Sequence, residues 1–78
     1  MRKETKKIIA EYISGKRSEV SIKGNPLLVA IIYESIEASR GLLDALRSFD
    51  VDRIKQAILN KKIAIERYEK VTGKEWEL

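Results

Sequence analysis

The sequence predicts an all-α fold: a short N-terminal helix plus a long antiparallel helical hairpin that dimerises into a four-helix core. Three observations carry this reading. Apolar residues recur at helical spacing along most of the chain. The one proline, Pro26, directly follows Asn25, where a long periodic stretch begins. Asp50 and Gly73 then bracket a second stretch of matching length. With 78 residues, the chain makes one domain, 1–78.

The first helix is predicted over 3–14. Ile8, Ile9, Tyr12 and Ile13 share one face, and Gly15 stops the helix. A helix this short is marginal alone in water, so it has to dock. Segment 15–25 follows, with Gly15 and Gly24 near its ends. Its run Glu19-Val20-Ser21-Ile22-Lys23 alternates polar and apolar residues. That pattern suits either a loop with Val20 and Ile22 tucked inward or a short strand that pairs with its copy in another chain.

The second helix is predicted over 26–48. Asn25 is a favoured N-cap and Pro26 a favoured first residue. Glu34, Glu37, Gly41, Asp44 and Ser48 form its wet stripe, and Gly41 there costs about 1 kcal/mol relative to Ala. The third helix is predicted over 50–72. Asp50 caps it, Asp52 meets the positive end of its dipole, and Glu66 pairs with Lys70 one turn on. Ile54, Ala57, Ile58, Ala64, Ile65, Tyr68 and Val71 make its dry stripe. Gly73 ends it, and a tail over 73–78 carries the only tryptophan, Trp76.

Equal helices joined by a tight turn pack antiparallel. A turn centred near Asp50 sets Leu46 against Ile54, Leu42 against Ile58, Ser39 against Lys61, Ser35 against Ile65, Ile32 against Tyr68 and Leu28 against Thr72. Ser35, Ser39 and Lys61 therefore form a polar layer inside an apolar seam. Lys61 lies in the centre of the dry stripe. Its stem can follow apolar surface while the ammonium reaches water, or the layer can fix register or oligomer state. A desolvated catalytic lysine is the third reading, and no second catalytic group is recognisable beside it.

The run Leu27–Tyr33 is apolar all round the helix, while one partner helix covers one side. Leu43, Leu59 and Ile63 add a minor stripe, and Trp76 and Leu78 also need cover. A three-helix monomer leaves more exposed apolar surface than soluble monomers tolerate. The expectation is a homodimer.

Net charge is +4, and the stretch before Asn25 holds all of it: Arg2, Lys3, Lys6, Lys7, Lys16, Arg17 and Lys23 against Glu4, Glu11 and Glu19. Such a basic segment is the footprint of nucleic-acid binding. Tyr12 is the only aromatic there, which leaves little for base stacking. The order of a short strand and two helices resembles that of ribbon–helix–helix DNA binders. That resemblance implies Arg17, Glu19, Ser21 and Lys23 outward and Val20 and Ile22 inward. The preceding helix and the long hairpin depart from the pattern.

Chemistry is sparsely represented. The chain has no cysteine and no histidine, so neither a disulfide nor a zinc site is expected. Asp50 and Asp52 read as cap and dipole partner, and Glu34, Glu37 and Asp44 as solvated. No catalytic, cofactor-binding or metal residue is assigned. Charged residues make up 36% of the chain and thermolabile ones are scarce, the bias of thermophile proteins. The N-terminus is too polar for a signal peptide, and Leu27–Tyr33 is too short to cross a bilayer, so a cytoplasmic protein is expected. The functional expectation is a small non-enzymatic protein acting through self-association and protein–protein contacts. The alternative is a small basic nucleic-acid-binding protein using the seven N-terminal cations.

Overall fold

A computed structural model describes residues 2–78, and these are all helix, turn and loop. Helix α1 spans Lys3–Ile13, α2 spans Pro26–Ser48 and α3 spans Val51–Thr72. The order is the one expected: a short helix, then a hairpin of two long ones. The 23 residues of α2 make a rod of about 34 Å.

The caps explain the boundaries. Asn25 Oδ1 accepts from the backbone N–H of Leu27 at 2.9 Å and of Leu28 at 3.4 Å, and Pro26 needs no partner for a missing N–H. Asp50 accepts from the Arg53 N–H at 3.2 Å and opens α3. Between them, Ser48 donates to the Ala45 carbonyl at 2.6 Å and accepts from the Asp50 N–H at 3.3 Å. The hairpin thus turns on two residues, Phe49 and Asp50. At the far end Gly73 takes φ +69 and its N–H donates to the Glu69 carbonyl at 2.8 Å. Helix α2 runs unbroken through Gly41.

The α2–α3 seam is built from small residues. Ser35, Ser39 and Ala45 of α2 and Ala57 and Ala64 of α3 are buried, together with Tyr68. Ser35 Oγ donates to the Ala64 carbonyl at 3.3 Å, and Leu28, Ile32, Tyr68 and Thr72 line one cleft. Both observations match the expected register. Small seam residues let the two backbones approach closely. They also bury less apolar area than leucines would.

The main core lies toward the open end of the hairpin. Ile9 and Ile13 of α1 pack there with Ile31, Ile36, Tyr68 and Trp76. Helix α1 packs its backbone chiefly on α2, while Ile9 and Ile13 share the core with Tyr68 of α3. Tyr12 fastens it: its hydroxyl donates to Glu37 at 2.6 Å, and the Arg40 guanidinium lies 4.4 Å over its ring. The loop over 14–25 is not a strand. Val20 and Ile22 turn inward, and the Tyr33 hydroxyl donates to the Val20 carbonyl at 2.9 Å and accepts from the Ile22 N–H at 3.0 Å. That edge of the segment is occupied within the chain, so the loop alternative holds and the ribbon–helix–helix resemblance does not.

Several expectations need correction. Trp76 does not depend on another chain for cover. The tail folds back, the Trp76 ring meets Tyr68 edge-on at 5.0 Å, and the Trp76 backbone N–H donates to the Glu69 carboxylate at 3.2 Å. Glu34 and Glu37 are not merely solvated. Glu37 holds Tyr12, and both oxygens of Glu34 lie 2.7 Å from Arg67 Nη1 of α3. The predicted dry stripe of α3 is only partly dry: Ala57, Ala64 and Tyr68 are buried, Ile54 and Ile65 are half-buried, and Ile58 and Val71 are exposed. The stripe is wider than one neighbouring helix covers, and α1 lies mainly against α2, meeting α3 only in the core around Tyr68.

Candidate functional site

The predicted polar layer is present but is not a hydrogen-bonded network. Ser35 and Ser39 are buried. Ser35 bonds the facing backbone, whereas Ser39 Oγ has no hydrogen-bond partner among the described residues. Lys61 is half-buried on the stripe of Ala57, Ala64 and Tyr68, one turn from each neighbour on that stripe. A lysine so placed can lay its stem on apolar surface and keep its ammonium in water. With one serine bonded to backbone and the other unpartnered, the layer is read as steric rather than hydrogen-bonded.

The seven N-terminal cations do not form one uninterrupted surface. Arg2, Lys3, Lys7, Lys16, Arg17 and Lys23 are exposed and Lys6 is half-buried. Arg17 lies 3.7 Å from Glu11, and with Ile8, Glu19, Val20 and Ser21 it lines a shallow hollow where the loop returns to α1. Tyr12 offers no open ring for stacking, because Arg40 covers it. The Tyr12 hydroxyl titrates above its ordinary value. Its hydrogen bond to the Glu37 carboxylate is the main cause and partial burial adds to it, with Arg40 opposing.

Two further depressions flank the hairpin. At its open end Asn25, Leu27, Leu28, Ile32, Tyr68, Val71, Thr72 and Lys74 line an open apolar cleft of about 570 Å3. Toward the turn, Glu37, Ala38, Gly41, Ala45, Arg53, Gln56, Ala57 and Asn60 line a polar groove of about 370 Å3. Neither brings a nucleophile beside a base. Among the described residues, no three acidic, histidine or cysteine side chains gather as metal ligands. No helix among them is long and apolar enough to cross a membrane.

What the structure offers in quantity is exposed apolar surface, and it lies only partly where the sequence suggested. Much of Leu27–Tyr33 is covered by α1, the loop and the tail: Ile31 is buried, and Val29, Ile32 and Tyr33 are half-buried. Leu27 and Leu28 at its start stay exposed. The remaining exposed set is Leu46, Phe49, Val51 and Ile58 around the turn, Leu59 and Ile63 on the outer side of α3, and Ile8 and Val71. Sequence periodicity could have flagged Ile58 and Leu46 only if the position of α1 were known. Comparison with protein-family models, with curated proteins and with solved structures finds no match to this chain.

Proposed function

We propose that this chain is a non-enzymatic helical module that works by self-association, as a homodimer, and by protein–protein contact. One observation carries the reading: the monomer has too much surface for its mass. Its accessible area is 5699 Å2. A folded monomer of 9.0 kDa averages about 4,850 Å2. The surplus of about 850 Å2 matches the roughly 800 Å2 that each partner contributes to a standard interface. The shape agrees. The chain measures 36 × 27 × 18 Å, and its 12.6 Å radius of gyration exceeds the about 11.5 Å typical of this length. A plate less than two helix diameters thick cannot enclose both faces of its longest helices.

The exposed cations of α1 and the loop support a second reading, nucleic-acid binding. Three interleaved glutamates and a covered Tyr12 ring weigh against it. Sedimentation equilibrium separates the two. A two-copy mass at micromolar concentration supports the module. A monomer whose affinity for duplex or single-stranded nucleic acid falls steeply as salt rises supports the alternative.

A further inference from the structure

We infer that the docking surface is the turn half of one hairpin face, formed by Leu46, Phe49, Val51, Ile54 and Ile58, and that its occupant is a second copy of this chain related by a two-fold axis. The inference rests on the self-association reading and assigns its contact.

Helical periodicity places these residues together. The polar groove fixes one face of the hairpin: Ala38, Gly41 and Ala45 on α2, and Arg53, Gln56 and Asn60 on α3. On the opposite side α2 presents Leu43 and Leu46, and α3 presents Val51, Ile54, Ile58 and Ile65, at steps of three, four and seven. Toward the open end this apolar face is closed. Leu43 and Ile65 pack against the core cluster of Ile9, Ile13, Ile31, Ile36, Tyr68 and Trp76. Toward the turn nothing in the chain covers it, and Ile58 remains 52% exposed.

Phe49 marks the patch as a contact. It is 88% exposed and sits in the left-handed region at φ 57, ψ 18. Bulky residues avoid that conformation, and glycine is the ordinary choice there. The same chain uses Gly73 at the equivalent place after α3, at φ 69. An aromatic side chain that is disfavoured both by its backbone and by its exposure gains most when a partner desolvates it. Buried aromatics are also the commonest anchors of protein interfaces.

The rim selects a second copy. Asp44, Asp50 and Asp52 stand with Arg47 and Lys55 around the turn, and Arg47 lies 3.7 Å from Asp44. A two-fold contact brings a patch against itself, so a rim of one sign would repel and a mixed rim can pair. The surplus area of about 850 Å2 is one partner's share of such an interface. Two turn halves stacked in this way put four helix ends around one apolar core.

The test uses the full chain and four variants in sedimentation equilibrium, with circular dichroism to confirm folding. Ile58→Glu and Phe49→Gly are expected to raise the dimer dissociation constant about 30-fold or more, the range of interface anchors. Phe49→Gly is expected to melt no lower than wild type under monomeric conditions. Leu59→Glu and Ile63→Glu, on the outer side of α3, are expected to leave the mass unchanged. A wild-type dimer that survives Ile58→Glu and Phe49→Gly, or is lost with Leu59→Glu or Ile63→Glu, overturns this surface while self-association stands. A mass that climbs beyond two copies overturns the two-fold contact, because only a head-to-tail contact propagates. A monomeric wild type overturns both readings and leaves the patch to a different protein.

Discussion

Replacing Ser39 by alanine should stabilise this protein. Its side chain is 2% exposed, and its hydroxyl has no hydrogen-bond partner among the described residues. A buried, unsatisfied polar group costs about 1–3 kcal/mol. Removing the oxygen leaves a gap smaller than a methyl group, which returns part of that gain. The expected net effect is about 1 kcal/mol of added stability, which for a domain this size raises the melting temperature by about 4–8 °C. Ser35 is the internal control. Its hydroxyl bonds the Ala64 carbonyl at 3.3 Å, a long contact to an acceptor that already lies within α3, so Ser35→Ala should be close to neutral. Thermal unfolding followed at the helical band, with mass measured alongside, decides the matter. If Ser39→Ala lowers stability by 1 kcal/mol or more, or changes the number of copies, the hydroxyl fixes register and the steric account of the layer is wrong. Lys61→Leu extends the test: an apolar side chain of similar reach at this half-buried position should raise the melting temperature and leave the mass unchanged.

Three further outcomes follow from other parts of the fold. Gly41→Ala places a methyl where no atom lies within 4 Å, so it should add about 0.5–1 kcal/mol, read as a higher melting temperature. Trp76→Ala removes a core side chain packed edge-on to Tyr68 and should cost about 3–5 kcal/mol, enough to unfold much of a small domain at room temperature by circular dichroism. Trp76→Phe keeps the apolar packing and loses a buried, unpartnered Nε1, so it should stay folded. Finally, the Tyr12 hydroxyl is held above its ordinary value of 10.0, chiefly by Glu37. The folded state therefore holds that proton more tightly than the unfolded chain, and stability is full below pH 10 and falls as pH rises beyond it. Tyr12→Phe should remove the part of that slope due to this group, measured by denaturant unfolding at stepped pH.

The elements that depend on local chemistry were legible in the sequence. Asn25, Pro26, Asp50 and Gly73 mark helix ends through backbone preferences that need no tertiary information, and each acts as expected. The hairpin register was legible too, because equal lengths and one turn leave little freedom. What escaped was tertiary. Periodicity shows that α3 has a wide apolar stripe but not that α1 would lie mainly on α2, toward the open end, so Ile58 is expected to be dry and is exposed. The Tyr33 hydroxyl that clamps Val20 and Ile22, and the return of Trp76 onto Tyr68, depend on groups 11 or more and 8 residues apart respectively, with no spacing signature. Phe49 carries no signal of its own in the sequence. Its positive φ is a property of the backbone that no composition or period reveals.

Sedimentation equilibrium of the full chain, from micromolar to submillimolar concentration, tests the central claim most directly. The surplus surface and the open turn half predict a mass that rises from 9.0 kDa to twice that value and then stays constant. A mass that remains at 9.0 kDa throughout contradicts the account.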